Sequence, residues 1–294
     1  MFDLRYHVAS LAAVFLALII GILVGVGISG PVDSAKTKFL EEQVAKYQRQ
    51  LDQSATQSGE VTRDQQAART FINETYPVLV RNRLRGKKIA VVFVGSVDGG
   101  IRKAVKGLLE DSGAQQLRLR SLKVPVDVRQ LGAALKSQSA AVGLRGRKNV
   151  EELGRSLGEE LMLGGDTPLW DSLTGSTPLV EEVVGGSKAP ADGVVVVRTV
   201  TPQRGATSRF LLGLYSGLAA TPVPAVGVER TDAAESATKA FAQGGLSSVD
   251  DVDNPAGRLA TVLLLAGAPP GQYGVKDTAD ETLPPFPPRI AAGG

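Results

Sequence analysis

The chain has 294 residues, enough for one large domain or two small ones with accessory segments. Charged residues make up 21% of it and the formal net charge is only +3, so nucleic acid is not expected as a partner. It contains no cysteine and its only histidine is His7, which excludes a disulfide framework, a thiolate metal site and a Ser-His-Asp triad beyond the N terminus.

The first predicted element is an uncharged apolar run from Val8 to Ser29. At about 1.5 Å per residue, such a helix would cross the roughly 30 Å hydrocarbon core of a bilayer. We therefore predict a transmembrane anchor over residues 1–30 and the lipid membrane as a partner. A cleaved signal peptide is the alternative, although the segment after the run offers no convincing cleavage site. The lysines and arginines on either side leave the orientation open.

Small residues recur at every fourth position of this run, including Ala13, Ala17, Gly21 and Gly25. A ridge of small side chains lets two helix backbones approach closely, and Gly21 to Gly25 is itself a GxxxG motif. The pattern predicts that the helix packs against another through this ridge, although small residues also occur there by coincidence.

Residues 31–85 are predicted to form a helical stalk with an interrupted coiled-coil seam. Its interface positions have the spacing of a heptad repeat and are Leu40, Val44, Tyr47 and Leu51. Polar residues and Gly59 then interrupt the seam, so we expect two helical pieces, over 34–57 and 60–75, and an end near Pro77. Pairing in a dimer or with another membrane protein is the favoured interpretation, and packing of the stalk on its own domain is the alternative.

Residues 86–275 are predicted to form a Rossmann-like or flavodoxin-like α/β domain with a parallel sheet. The apolar run from Lys88 to Val94 is typical of a strand buried on both faces, and a loop, an amphipathic helix and a second strand follow it. Further strands are expected at 117–122, 193–199 and 225–228. Helices are expected at 101–111, 207–219, 232–243 and 254–266, and through most of 126–184. The proline-rich tail, 276–294, is expected to be disordered.

The loop after the first strand is a possible ligand loop, with Gly95, Asp98, Gly99 and Gly100 as candidate residues. It lies where doubly wound sheets bind ligands, beyond the end of a strand and before a helix N terminus. However, it matches neither of the glycine-rich nucleotide-binding motifs. A tight structural turn is therefore the stronger interpretation, and binding of a nucleotide or another small ligand is the alternative.

The remaining candidates for chemistry are acidic. Asp250, Asp251, Asp253 and Asn254 place four oxygen ligands within five residues, but they lack the spacing of a calcium loop, and helix capping explains part of the pattern. Carboxylate pairs at 159–160 and 181–182 fall on stretches predicted to be helical and solvated. We therefore expect a non-catalytic protein, with a Ser-Lys arrangement left open.

Several strings of this sequence resemble the actinobacterial MctB-like family, the family of mycobacterial copper transport protein B. They are the opening residues from Leu4 to His7, the Gly21–Gly25 motif, the 88–92 strand, the 249–267 segment and the string from Gly271 to Gly274. The resemblance implies a cell-envelope protein with its α/β domain outside the cytoplasm and a role in copper transport or homeostasis. It also implies, as an alternative, a membrane partner and regulation of a peptidoglycan hydrolase during cell separation.

The residues available for copper limit this implication. Cu(I) prefers sulfur ligands and Cu(II) favours imidazole, yet the chain offers only His7, Met1 and Met162. These residues do not form a convergent site within one chain, so copper is a possible ligand by resemblance only, with His7 as the weak candidate. Three hypotheses follow: a copper-handling protein, a coiled-coil scaffold, and a nucleotide- or small-ligand-binding domain.

Overall fold

A computed structural model describes residues 4–27, 34–127, 129–131, 150–163, 166–174, 179–184 and 189–287. The chain divides into two compact units, Met1–Ala68 and Arg69–Gly294. The long N-terminal helices provide the first unit, and the second is a layered α/β domain built on a seven-stranded sheet.

Helix α1 covers Leu4–Gly27. Among the residues that the structure describes, no helix is both long and apolar enough to cross a membrane. The transmembrane helix predicted within residues 1–30 is therefore wrong.

Helix α2 covers Ser34–Val80 as one continuous helix, not the two pieces predicted from the sequence. Gly59 does not end it, because an interior glycine costs a helix only about 1 kcal/mol. Pro77 lies inside its last turn, and the helix continues to Val80. Burial accounts for this extra turn, since Tyr76 and Val80 both lie in the core of the second unit.

The sheet is predominantly parallel and has the order β3-β2-β1-β4-β5-β6-β7. Only β3 runs antiparallel to its neighbour. The strands are β1 Lys88–Val94, β2 Gln115–Leu122, β3 Val180–Val184, β4 Gly193–Arg198, β5 Ala225–Val228, β6 Ser247–Val249 and β7 Gln272–Tyr273. The predicted parallel-sheet α/β class is therefore confirmed for this domain.

Helices cover both faces of the sheet. They are α3 Gly99–Ser112, α4 Val150–Leu163, α5 Pro168–Thr174, α6 Gly205–Ala219, α7 Thr238–Gln243 and α8 Pro255–Leu265. Alternate residues of β1 enter two separate cores: Val92 packs with α4 to α7, whereas Val91 packs with α3, α8 and the end of α2. This alternation is what a strand buried on both faces requires.

Helices α4 and α6 cross at very short range through glycines. A Cβ added at Gly154 would collide with the carbonyl oxygen of Phe210, and one at Gly213 would collide with that of Glu151. Gly158 and Gly217 repeat the arrangement one turn further along each helix. The two backbones therefore pack directly against each other, as small-residue motifs allow.

Three segments differ from the sequence-based expectations. Glu181 and Glu182 lie in β3, not in a helix. The helix predicted over 232–243 begins only at Thr238, because the preceding residues form turns around the buried Glu229 carboxylate. Residues 277–287 contact the domain where disorder was expected, and Arg83 stacks on Phe286 at 5.1 Å. Residues 288–294 lie outside the described part.

Candidate functional site

A cavity of about 330 Å³ opens beyond the carboxyl ends of β1, β4 and β5. Strands β1 and β4 are neighbours, but their following helices, α3 and α6, cover opposite faces of the sheet. The strand order therefore reverses here, and such switch points are where doubly wound folds bind ligands. The cavity walls come from the loops after these three strands.

Gly95 shapes the turn after β1. Its φ of +108° lies in the region that favours glycine, and a Cβ there would come within 2.5 Å of Val200 and 2.7 Å of the Thr199 hydroxyl. That hydroxyl donates to the carbonyl of Ser96 at 2.7 Å, so it ties the loop after β4 to the loop after β1. Gly95 is thus needed for the close approach of these two loops.

Asp98 occupies the N terminus of α3, the position where a bound phosphate would be stabilised. Its Oδ1 accepts a hydrogen bond from the backbone N–H of Ile101 at 2.9 Å, and its backbone is extended, as in an N-cap residue. Gly99 begins the helix in open space, whereas Gly100 leaves room for Arg230 beside Asp98. The candidate ligand loop therefore has its helix N terminus filled by its own carboxylate.

Arg230 crosses the mouth of the cavity. Its guanidinium pairs with both oxygens of Asp232, at 2.8 and 3.0 Å, and lies 3.6 Å from the Asp98 carboxylate. The hydrogen bond and charge of Asp232 raise the pKa of Arg230, and Arg230 in turn lowers the pKa of Asp232. Both acids are exposed, so this bridge contributes little to stability and mainly places charge at the rim.

Arg198, the last residue of β4, is only 4% exposed and lines the cavity. Its Nε donates to the carbonyl of Val200 at 3.2 Å and its Nη2 to that of Thr201 at 3.0 Å. No carboxylate in the described ranges forms an ion pair with it. Arg198 is therefore a buried cation whose charge no side chain of the described ranges neutralises.

Glu229, directly after β5, is also buried but is fully satisfied. Its Oε1 accepts hydrogen bonds from Ser236 at 2.6 Å and from Lys276 at 2.8 Å, and its Oε2 accepts one from the backbone of Ala237 at 2.7 Å. Lys276 begins the segment that was expected to be disordered, and this ion pair helps to hold it on the domain. The charge of Glu229 is therefore paired with that of Lys276, and Glu229 forms no ion pair with Arg198.

The acidic segment predicted as a possible cation site does not converge on a common point. Asp250 accepts hydrogen bonds from the backbone N–H groups of Val275 and Lys276. Asp253 accepts two hydrogen bonds from Thr231, one from its backbone N–H and one from its hydroxyl. Asn254 occupies the N-cap position of α8 but donates its amide hydrogen to the Thr231 hydroxyl. Within the described ranges, no group of three or more acidic or histidine side chains could hold a metal ion.

Asp251 differs from the other acids of this segment. It is 1% exposed, and neither carboxylate oxygen accepts a hydrogen bond of good geometry from the residues that the structure describes. Burial, followed by the charge of neighbouring Asp250, raises the pKa of Asp251 to about 6. Such a group destabilises the fold when it ionises, because a buried charge without a partner is costly.

The candidate residues of the first unit are exposed where their side chains are described. Val44 is 42% exposed and Tyr47 61% exposed. A Cβ added at Gly21 or Gly25 would meet no atom within 4 Å, and Ala13 and Ala17 are likewise exposed. The side chains of His7, Leu40 and Leu51 lie outside the described set. No metal role for His7 can therefore be drawn from the geometry.

The loop after β1 was predicted from the sequence, whereas the roles of Arg198, Glu229 and Arg230 at this site were not. Arg198 had a recognisable signal, since it is the single charge at the end of the run Gly193–Arg198. Glu229 and Arg230 stand at the same place after β5. A charged residue that ends a buried parallel strand points to the ligand-binding edge of the sheet.

Together, the fold and the cavity define a doubly wound α/β protein with a polar pocket at its switch point, preceded by two long helices. Residues 1–284 match the family described as "Copper transport outer membrane protein, MctB". The chain therefore belongs to the MctB family, as the resemblance indicated. No curated protein matches the chain.

Proposed function

We propose that this chain takes part in copper transport or homeostasis in the cell envelope as a non-catalytic component that acts through assembly. The family description supports the copper role and the envelope location. The exposed apolar seam of α2 supports the mode of action. The observation that carries it is the pair Val44 and Tyr47, which are exposed at heptad spacing on one face of a long helix.

The seam favours a second copy of the same helix as its partner. Residues at a and d positions of a heptad form a self-complementary surface when two identical helices align. Ile72 continues the same seam and is 40% exposed. Apolar side chains in such a row lose contact with water when two helices pair, and this burial provides the driving force.

The test compares cells that carry charge-matched variants of α2. Val44→Glu with Tyr47→Glu should reproduce the copper content of a deletion strain, because two carboxylates in the seam prevent pairing. Lys46→Gln with Arg49→Gln makes the same change in net charge on the exposed opposite side of the helix and should leave copper content unchanged. Sedimentation of the purified full-length chain should show a loss of dimer in the first variant only.

Two outcomes would contradict the proposal. If the seam variant loses the dimer but keeps normal copper content, assembly is not how the chain acts. If deletion of the gene leaves copper content unchanged, the copper role itself fails.

Direct copper binding is a separate question, which titration of the full-length chain with Cu(I) and Cu(II) under chelator competition addresses. We expect no stoichiometric site from one chain, because sulfur and imidazole ligands are nearly absent. Binding tighter than about micromolar that is lost in His7→Ala would instead assign copper handling to the chain itself.

The identity of further partners is also part of the proposal. By resemblance, another membrane protein and a cell-wall hydrolase are the expected classes. Hydrolase activity measured with and without the purified chain would test the second class. We expect any regulation to be lost in the same Val44→Glu, Tyr47→Glu variant, and regulation that persists there would place the contact elsewhere.

A further inference from the structure

The switch-point cavity contains a positive charge, that of Arg198, which no carboxylate among the described residues neutralises. A buried ion is costly unless another charge or several hydrogen bonds replace its lost water. The guanidinium of Arg198 donates hydrogen bonds to two backbone carbonyl groups, through its Nε and Nη2. Its Nη1 forms no hydrogen bond within the described ranges, although the side chain lines the cavity.

The acids around the cavity are already engaged, with one exception. Glu229 pairs with Lys276, while Asp98 and Asp232 pair with Arg230. Glu235 lies at the exposed rim and forms no ion pair with any described residue. The inner wall of the cavity is therefore positive and its rim is acidic.

The positive inner wall and the acidic rim together determine which anions the cavity can bind. The N–H groups of Nη1 can donate a charge-assisted hydrogen bond to a carboxylate oxygen while Nε and Nη2 keep their carbonyl partners. A phosphate dianion would be repelled more strongly by the acidic rim, and its usual place at the N terminus of α3 is taken by the Asp98 carboxylate. A singly charged ligand is thus favoured over a doubly charged one.

The volume of the cavity and the hydroxyl groups that line it restrict the class of ligand further. About 330 Å³ holds roughly ten non-hydrogen atoms, at about 30 Å³ for each water-sized group. The hydroxyls of Ser96 and Thr201 line the cavity and make no hydrogen bond within the described chain. They are available to a second polar group on the ligand.

We infer that this cavity binds a small monocarboxylate through the guanidinium of Arg198, with Ser96 and Thr201 available to a hydroxyl on the ligand. This site is distinct from the seam of α2 and does not depend on helix pairing. It gives the α/β domain a ligand-sensing or ligand-carrying capacity beyond the proposed copper role.

Ligand-observed NMR on the full-length chain tests the inference with lactate and lactamide, which differ only in the charged group. Lactate should bind saturably with a dissociation constant of about 1 mM, and lactamide at least about tenfold more weakly. Arg198→Gln should weaken lactate binding by about tenfold or more. Arg204→Gln, an exposed cation a few residues further on, should leave it unchanged.

A second variant keeps the test decisive if Arg198→Gln fails to fold. Glu235→Gln removes a rim acid without touching the buried network and should tighten lactate binding by about twofold to threefold. Equal binding of lactate and lactamide, or no lactate binding at about 50 mM, would overturn the inference. Inorganic phosphate that displaces lactate at lower concentration would also overturn it.

Discussion

Two buried arginines lie on β2 and β4, the strands on either side of β1, and they are stabilised in different ways. Arg120 on β2 is 1% exposed, and Arg198 on β4 is 4% exposed. Arg120 pairs with Asp171 and Glu182 at 2.9 Å each, and it stacks on a buried tryptophan ring at 5.5 Å. Arg198 has backbone carbonyls as its hydrogen-bond acceptors and no carboxylate partner in the described part of the domain.

This difference separates a structural charge from a charge available to a ligand. Arg120 joins β2, β3 and α5 through its two carboxylates and the hydroxyl of Thr167. Asp171 is 59% and Glu182 26% exposed, so the cost of losing Arg120 comes from its charge-assisted hydrogen bonds and not from carboxylates left buried. Arg198 makes no comparable connection among the described residues, which is why we infer that its charge is available to an anion in the cavity.

The largest loss of stability is expected when Arg120 is replaced. Arg120→Met should lower the free energy of unfolding by about 3 kcal/mol, because Asp171 and Glu182 lose their common cation and Thr167 loses a donor. Urea unfolding of the full-length chain at pH 7 measures this. A loss below about 1 kcal/mol would show that the network does not hold β3 and α5 on the sheet.

The second largest effect on stability is expected at Asp251, a buried acid whose carboxylate accepts no hydrogen bond from the described residues. Its pKa is raised from 3.8 to about 6, so the stabilising protonated form is fully present below about pH 4. Stability is lost as the pH rises through 6, by on the order of 2 kcal/mol. Asp251→Asn should therefore be more stable than the wild-type protein at pH 7 and similar at pH 4.

Asp250→Asn provides the matched control for this prediction. Asp250 accepts two backbone N–H groups, and the amide of asparagine can accept only through its oxygen, so the variant should be less stable at pH 7. Unfolding by urea across pH 4 to 7 compares the two variants. If Asp251→Asn shows the same pH dependence as the wild-type protein, the carboxylate is not titrating as described.

A smaller effect is expected for Arg198. Arg198→Gln should change the free energy of unfolding by about 1 kcal/mol, since only two carbonyl hydrogen bonds are lost. In the same denaturant, the free energies of unfolding of Arg198→Gln and Arg120→Met should differ by at least about 1.5 kcal/mol. Equal losses would remove the distinction between the two arginines.

The smallest effect should come from an exposed ion pair. Lys106 and Glu110 lie one turn apart on α3 at 3.5 Å, and both are 65% exposed. Lys106→Met should change stability by less than about 0.5 kcal/mol in the same assay. A larger loss of stability would contradict this comparison, because an exposed ion pair would then contribute as much as the contacts of a buried arginine.

Strands with a continuous apolar run were the easiest to predict from the sequence. The β-branched runs predicted β1, β4 and β5 because strands covered on both faces need no polar alternation. Strand β3 was missed because its two central glutamates match a solvated helix equally well. In the fold, Glu182 lies opposite Arg120 on β2, a partner distant in sequence that donates a hydrogen bond to it.

The site was predictable in position but not in chemistry. The loop after β1 follows from the strand-loop-helix pattern, and Gly95 follows from the need for a turn there. The pairing of Glu229 with Lys276 depends on a contact between residues 47 positions apart, which no local pattern contains. The unneutralised charge of Arg198 becomes evident only after those partners are assigned.

The most direct test of this account measures how lactate changes the unfolding free energy of the wild-type chain and of Arg198→Gln. A ligand that binds only the folded state stabilises it in proportion to the logarithm of its concentration over its dissociation constant. We predict an increase of about 2 kcal/mol at about thirty times the dissociation constant for the wild-type chain, and none for the variant. Equal increases in both proteins, or none in either, would contradict the account.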